Sequence, residues 1–224
     1  MNRLLLIAIL ALSAFAGRAH AQTEQQTLVD RSTLVVQEML GDQNATEARN
    51  LMKRAKGAMV CPRIFKAGFF IGGQGGGCLL VGRNASNGAW SGPAFYSMGS
   101  ASLGLQIGVQ DAEMIFIVLT DKGLQALLDS QFKFGADASV AVASIGAGVS
   151  GSTTAALRAD IVSFAQARGA FAGISLEGSL ISNKSDWNAA YYGKPIGAQQ
   201  IVIGMEGQNP GAAPLQEILA RYAQ

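Results

Sequence analysis

The chain has 224 residues, of which 17 are basic and 15 acidic, so its formal net charge is only +2. Its one histidine, His20, lies near the N-terminus, which excludes Ser-His-Asp and Cys-His nucleophilic sites in the rest of the chain. Two cysteines are too few for a tetrahedral zinc site of sulfur and histidine ligands. Carboxylate chemistry and oxygen-ligated metals stay open, but the sequence predicts no catalytic residue, no cofactor and no metal site.

The first 21 residues follow the order of a secretory signal peptide. Arg3 gives a basic start, residues 4–16 are apolar, and Ala19-His20-Ala21 places small residues at the cleavage positions. The apolar run is shorter than the roughly 20 residues that a membrane-spanning helix needs. We therefore expect residues 1–21 to be cleaved before Gln22. The mature protein is expected to be exported and periplasmic, either in solution or peripheral on the inner or outer membrane.

The roughly 200 residues that follow suffice for one domain with a substantial core. We predict a single domain over 22–224, with N-terminal helices over about 27–56, a sheet core over about 58–181 and C-terminal helices over about 184–222. Apolar residues recur at helical spacing from Thr27 to Leu40, and that helix should end at Gly41. Asn44 or Thr46 offers an N-cap for a second helix, which should run to about Lys56 and stop at Gly57.

From Ala58 onward the apolar period changes to two and glycine becomes frequent, which is typical of strands and tight turns. Helical patterns return at Asp121–Ser130, Lys184–Tyr192 and Pro214–Tyr222. Because short connections exclude parallel pairing of successive strands, the predicted fold class is α+β, with a mostly antiparallel, strongly twisted or barrel-like β-sheet and N-terminal, inserted and C-terminal helices. The predicted strands are Ala58–Cys61, Ala67–Gly72, Gly77–Arg83, Ala94–Met98, Ser102–Gln110, Glu113–Thr120, Ala138–Ile145, Ile161–Ala167 and Phe171–Ile181.

Two of these strands carry a distinct burial signal. Ser102–Gln110 alternates between apolar and small or amide residues, which predicts one strand with a single buried face. Met114–Leu119 is continuously apolar, which predicts a central strand covered on both faces.

The glycine run Gly72–Gly77 does not fit a phosphate-binding loop, because no Gly-Lys-Ser/Thr is present and a strand pattern follows it. It predicts a hairpin turn near Gln74 and Gly75, which pairs the strand before the run with the strand after it. In that register Lys66 and Arg83 lie roughly opposite each other. Like charges so placed destabilise a strand pair, and an anion between them would relieve the repulsion.

Charge is unevenly distributed along the chain. Residues 22–47 carry five acidic and one basic residue, residues 48–110 carry seven basic and none acidic, and residues 111–224 carry ten acidic and seven basic. Such asymmetry predicts a local anion-binding face, although a solvated face neutralised by acidic neighbours in the fold gives the same pattern. The seven basic residues are Arg49, Lys53, Arg54, Lys56, Arg63, Lys66 and Arg83.

The cysteines and carboxylates leave alternatives open. Cys61 and Cys78 are either joined in a disulfide, which an oxidising compartment would allow, or are two buried thiols. A carboxylate pair could do acid and base work of the glycosidase type. Their spacing selects no pair, and structural, hydrogen-bonded carboxylates are favoured. The carboxylates concerned are Asp111, Glu113, Asp137, Asp160 and Glu177.

From about Arg49 to Gly193 the chain resembles the SYLF domain family, which occurs in eukaryotic phosphoinositide-binding and actin-patch proteins and in exported bacterial proteins. The resemblance implies a non-catalytic lipid-binding module with a basic surface and an amphipathic N-terminal helix, and Lys53, Arg54, Lys56 and Lys66 fall in the family's early basic stretch. The chain departs from the family in its two cysteines, its leader and its lack of an SH3 or FYVE domain. The matching stretches are Ala55–Gly57, Lys66–Phe69 with the glycines after it, Trp90–Phe95, Gly104–Gly108, Gly135–Ser139, Gly169–Gly178 and Tyr191–Gly193.

The predicted function is non-enzymatic binding of anionic phospholipid, or of another envelope polyanion, at a membrane surface. The seven basic residues form the expected binding site. No nucleic acid partner is expected, and the sequence does not identify any protein partner. The alternatives are an outer-membrane β-barrel, suggested by export, glycine content and alternation, and a carboxylate-dependent envelope hydrolase. The aromatic residues expected to add membrane contact are Phe69, Phe70, Trp90, Phe95 and Tyr96.

Overall fold

The computed structural model describes residues 24–68, 71–103, 108–129, 131–134, 136–144, 158–169 and 178–224. Within these residues the helices are α1 (24–41), α2 (Thr46–Met52), α3 (Asp121–Leu128), α4 (Ser185–Tyr192), α5 (Ala198–Val202) and α6 (Ala213–Tyr222), with a 3-10 turn at Pro210–Ala212 before α6. The strands are β1 (Gly57–Gly68), β2 (Ile71–Gly82), β3 (Ala94–Leu103), β4 (Gly108–Val118), β5 (Gln131–Lys133), β6 (Val140–Ser144), β7 (Ile161–Gly169) and β8 (Leu180–Asn183).

The strands form one mixed, strongly curled half-barrel sheet in the order β5-β8-β3-β2-β1-β4-β7-β6. Every neighbouring pair is antiparallel except β6 and β7, which are parallel. The predicted fold class is therefore confirmed, including its N-terminal, inserted and C-terminal helices. The parallel pair is compatible with the long connection between β6 and β7, because parallel strands need a crossover.

Helices cover both faces of the sheet. Alternate residues of β4 enter two different apolar clusters, with Ile115 and Ile117 in one and Met114 and Phe116 in the other. The first cluster includes residues of α1, α2, α4 and α6, and we call this side the α1 face. The second includes residues of α3 and α5, and we call it the α3 face. Residues 114–118 are at most 1% exposed, so the prediction of a central strand covered on both faces is confirmed.

Helix α1 forms where the helical spacing predicted it and lies across the α1 face. Val29, Val36, Met39 and Leu40 are completely buried, and burial of each such side chain contributes about 1.5–3 kcal/mol before entropy is counted. The helix packs closely on β2, because the side chain of Leu28 lies only 3.2 Å from the position of a Cβ atom on Gly77. Glycine at this position allows that close approach.

The β1–β2 hairpin exists, but its predicted turn is wrong. Gly68 pairs with Gly72, so the glycine run lies within β2 and not at the turn, and residues 69–70 lie outside the described residues. Both strands continue through this region, and β1 bulges beside the glycine run, between Val60 and Phe65. A Cβ atom on Gly76 would overlap the carbonyl oxygen of Arg63 in this bulge. Glycine is needed here for backbone approach rather than for turning the chain.

The new register also corrects the predicted opposition of Lys66 and Arg83. Lys66 lies opposite Gln74, whereas the backbone N–H of Arg83 donates to the carbonyl oxygen of Lys56 over 2.8 Å. The two cations therefore stand at opposite ends of the hairpin, and no anion is required between them.

Two other predicted strands differ from the structure. The alternating stretch Ser102–Gln110 is divided, because β3 ends at Leu103 and β4 begins at Gly108, with residues 104–107 outside the described residues. The alternation of apolar and small residues cannot reveal this division, because the same alternation continues from the first strand into the second. Most of the predicted strand Phe171–Ile181 also lies outside the described residues, and β8 begins only at Leu180.

Cys61 and Cys78 face each other across β1 and β2 on the α3 face and form a disulfide, with their Cα atoms 4.2 Å apart. Both residues are completely buried. A cross-link over this sequence separation stabilises a fold by about 3 kcal/mol in the chain-entropy account. None of the helices in the described part of the chain combines the length and the apolarity needed to cross a membrane.

Candidate anion-binding site

Four basic residues meet where α2 leads into β1, and we call this group, Lys53, Arg54, Lys56 and Arg83, the basic corner. Lys53 directly follows the last residue of α2, and Lys53 and Arg54 are both exposed. The backbone N–H of Lys56 donates to the carbonyl oxygen of Val118 over 2.8 Å, which joins the segment to β4. The corner therefore lies at the end of the sheet where β1 begins and β2 and β4 end.

Arg83 holds this corner together. Its Nη1 donates to the carbonyl oxygen of Lys53 over 2.8 Å, and its Nη2 donates to that of Ala223 over 3.1 Å. Its guanidinium carbon also lies 6.0 Å from the ring centroid of Trp90. Carbonyl groups at the end of a helix have no partner within the helix, so a cation at that point satisfies them. Arg83 thereby fixes the positions of Lys53 and Lys56 relative to the C-terminal helix.

A groove of about 270 Å³ lies beside the basic corner. Lys56 Nζ is 3.4 Å from Asp121 Oδ1 at its edge, and the Asp121 side chain is 85% exposed. Because exposed ion pairs hold weakly, an incoming anion can replace this carboxylate. Ile203, which is 50% exposed, adds an apolar surface to the same groove. The arrangement suits a ligand that carries phosphate oxygens next to apolar groups.

Sequence reasoning missed the apolar part of this groove. Ile203 and Met205 follow the short helix α5, which lies between the predicted helical patterns Lys184–Tyr192 and Pro214–Tyr222. Met205 also has a positive φ of 56°. Methionine rarely adopts this backbone conformation, so the sequence does not predict it. No pattern in the chain could have placed these residues beside Lys56.

The other three predicted cations do not join the basic corner. Arg49 donates to the carbonyl oxygens of Leu40 and Asp42 over 2.9 and 2.7 Å and so closes the end of α1. Arg63 binds Asp111 through two hydrogen bonds of 2.7 and 3.2 Å, which raises the pKa of Arg63 and lowers that of Asp111. Lys66 is ten residues beyond Lys56, about 30 Å along an extended strand.

The seven cations therefore do not lie together on one face of the domain. The basic corner lies at the start of β1, and Arg63 and Lys66 lie farther along the same strand. Their distance from the corner is well above the Debye length, which is about 8 Å at physiological salt. Near Arg63, acidic side chains balance the charge, as the alternative interpretation of the charge pattern predicted. The basic corner is the part of the predicted site that the structure assembles.

The structure corrects the expectation of membrane contact for three aromatic residues. Trp90, Phe95 and Tyr96 are at most 5% exposed, because β3 places Phe95 on the covered α1 face and Tyr96 on the covered α3 face. Burial raises the pKa of Tyr96 to about 12. Phe69 and Phe70 lie outside the described residues.

Two of the sequence stretches that resemble the SYLF family meet in the core. Tyr192 Oη donates to the carbonyl oxygen of Pro93 over 2.8 Å, and a Cβ atom on Gly92 would overlap the Tyr192 hydroxyl. The rings of Phe95 and Tyr191 are in edge contact, with centroids 5.0 Å apart. Burial raises the pKa of both tyrosines. These stretches contribute packing and a hydrogen bond to the core.

The carboxylates named as candidate acids and bases serve structural roles where they are described. Asp160 accepts hydrogen bonds from Thr120 Oγ1, from the Ser139 hydroxyl and backbone N–H, and from Lys122 Nζ. The hydrogen bond from Thr120 is the largest cause of its strongly lowered pKa. Asp137 accepts from the backbone N–H of Lys133 over 2.5 Å. Glu177 lies outside the described residues, and within them no cluster of three potential ligands could hold a metal ion.

Glu113 lies elsewhere, in a second groove between α1 and the sheet, which also includes Arg63 and Asp111. Its neighbours in that groove carry both signs of charge, so the groove has no net basic character. It does not form part of the basic corner.

Residues 99–222 match the protein family described as "Ysc84: Las17-binding protein actin regulator". SH3 domain-containing YSC84-like protein 1 of Rattus norvegicus is 29% identical over 176 residues, which cover 78% of this chain and 51% of the relative. LAS seventeen-binding protein 3 of Saccharomyces cerevisiae is 30% identical over 177 residues, covering 78% of this chain and 38% of the relative. The chain thus spans about half the length of these relatives or less. The basic corner precedes the residues of the family match.

Proposed function

This chain belongs to the Ysc84 family, and on that premise we propose that it is a non-enzymatic binding protein whose basic corner holds the head groups of anionic phospholipids. The match confirms the resemblance to the SYLF family, which is the same domain family. The family's description refers to Las17 and actin, and the yeast relative is named for binding LAS seventeen. For an exported protein, lipid phosphate at the membrane surface is the more accessible partner.

One observation carries the proposal. Lys53 and Arg54 are exposed, and within the described part of the chain neither forms an ion pair, while Arg83 holds Lys53 in place through its carbonyl oxygen. Each cation near an anionic bilayer contributes about 1 kcal/mol of binding free energy. Four cations with the apolar contact of Ile203 can therefore hold the domain on a membrane reversibly and in a salt-sensitive way.

The double substitution Lys53→Ala/Arg54→Ala tests this proposal by flotation with vesicles of phosphatidylglycerol and phosphatidylethanolamine. Loss of two cations should cost about 2 kcal/mol, which weakens binding about 30-fold at low salt. Binding of the wild-type protein to neutral vesicles should be negligible. These two residues are chosen because their side chains, unlike that of Arg83, are not needed to join helix ends.

The matched control is Lys133→Ala/Lys194→Ala, which removes two exposed lysines outside the corner. It changes the net charge equally and should retain most of the binding. Equal losses in both variants would show that the protein responds only to net charge, and the basic corner would then not be the site.

We also propose that residues 1–21 direct export and that the mature domain works in the bacterial envelope. The order of charge, apolar run and small residues supports export, and so does a buried disulfide, since disulfides persist in oxidising compartments. Protein purified from the envelope fraction should begin at Gln22 by mass spectrometry and should show no reactive thiol in denaturant without reductant. A full-length chain in the cytosol with two reactive thiols would contradict this proposal.

A further inference from the structure

The groove between α1 and the sheet has no part in the function proposed above. It encloses about 420 Å³ and lies where β1 bulges at Pro62 and Arg63. Helix α1 contributes Arg31, Leu34 and Glu38 to it. A groove of this size, at a bulge and away from the basic corner, is a second candidate for binding.

Its rim exposes apolar side chains among charged ones. Leu34 is 63% exposed, more than any other large apolar side chain of the described residues. Outside the groove lining, Phe65 is 41% exposed, and the guanidinium carbon of Arg63, which does line the groove, lies 5.6 Å from its ring centroid. Apolar residues rimmed by charges are typical of surfaces that bind other proteins.

The charges on α1 are arranged symmetrically about Leu34. Arg31 and Glu38 are exposed and lie two helical turns apart on one stripe, about 5 Å before and after Leu34 along the helix axis. When a second α1 crosses in the opposite direction over Leu34, Arg31 of each copy meets Glu38 of the other. This is the self-complementary pattern of a two-fold contact.

From this symmetry we propose that a second copy of this chain docks on the groove, with a two-fold axis close to Leu34. A small anion is disfavoured there by Glu38 and Asp111, and a small cation is disfavoured by Arg31. The partner must present a positive and a negative side chain at the spacing of Arg31 and Glu38 on α1, with an apolar side chain between them. Helix α1 itself has that chemistry, and Leu34 of each copy fits between the charges of the other.

Sedimentation velocity over a range of protein concentrations tests the proposal. The wild-type protein should show a reversible monomer–dimer equilibrium, and Leu34→Glu should raise its dissociation constant at least about tenfold. Arg31→Glu and Glu38→Arg should each do the same, because each places like charges together at both symmetric contacts. Lys133→Glu, a charge reversal at an exposed site on β5, should leave the equilibrium unchanged.

Mixing the two charge variants gives the decisive measurement. In a mixed dimer one symmetric contact joins the native Arg31 and Glu38 side chains, and the other joins the introduced glutamate of one copy to the introduced arginine of its partner. An equimolar mixture of Arg31→Glu and Glu38→Arg should therefore recover the wild-type dissociation constant within about threefold. Recovery also shows that both variants are folded. A wild-type protein that stays monomeric, a dimer that is insensitive to Leu34→Glu, or a mixture that stays monomeric overturns the proposal.

Discussion

Replacing Gly76 with alanine should destabilise the domain by about 3 kcal/mol or more, the largest effect that we expect from a single methyl group in this fold. The new Cβ atom would overlap the carbonyl oxygen of Arg63 and lie 2.9 Å from Ile64 Cδ1. The clash is with backbone in the bulge of β1. That strand is paired on both sides, with β2 and β4, so it cannot move away without loss of hydrogen bonds.

Gly73→Ala is the matched control, because it makes the same change three residues earlier in the same strand. Its Cβ atom would lie 3.7 Å from the carbonyl oxygen of Ser100, an ordinary contact. Stability should stay within about 1 kcal/mol of the wild type, since the loss of glycine freedom in the unfolded chain favours alanine slightly. Urea unfolding followed by circular dichroism measures both variants. Equal stability of the two would mean that the bulge does not approach Gly76 as described.

Asp160→Asn should lower the free energy of unfolding by about 2–3 kcal/mol at neutral pH. The carboxylate accepts four hydrogen bonds, one at Oδ1 from Thr120 and three at Oδ2 from Ser139 and Lys122. An amide has only one acceptor oxygen, so in either orientation its NH₂ group faces a donor. The side chain is only 13% exposed, and water cannot replace all the lost partners.

The effect of Asp160→Asn should depend on pH in a defined direction. The pKa of Asp160 is lowered in the folded state, so its contribution is complete above the unfolded pKa near 3.8 and is lost as the pH falls toward the folded pKa. The stability difference between wild type and variant should therefore be constant from pH 5 to pH 8 and shrink below about pH 4. Asp111→Asn, which affects an exposed ion pair with Arg63, should change stability little at any of these pH values. A difference that grows on acidification would contradict the assigned role of Asp160.

The elements that the sequence predicted best are those with the strongest hydrophobic pattern. The helix over Thr27–Leu40 and the buried strand at Met114–Leu119 appear in place, because their apolar spacing leaves only one way to bury them. The glycine run predicts a turn and yet lies within a strand, because glycine serves both turns and close backbone approach, and only the partner strand distinguishes these uses. The short helix α5 and strand β5 contain too few residues to show a period.

The candidate site was only partly predictable, for a different physical reason. The distribution of charge along the chain shows where the cations lie in the sequence, but it does not show whether the fold brings them together. Strand β1 separates Lys56 from Lys66. Arg49 and Arg83 direct guanidinium groups to backbone carbonyl oxygens, a role that follows from helix ends and not from charge counts. Both faces of β3 are covered, so the alternation of its side chains does not show whether an aromatic residue is exposed or buried.

The position of the basic corner at one end of the sheet has a consequence for orientation. Both broad faces of the domain are covered by helices, so a domain that rests on a bilayer by this corner stands upright, with its strands directed away from the lipid. Strand β1 has 12 residues and reaches up to about 40 Å at the usual rise per residue. In a domain bound in this way, Gly68 at the far end of β1 would lie up to that distance from the head groups, so the far end of the sheet would be held away from the membrane.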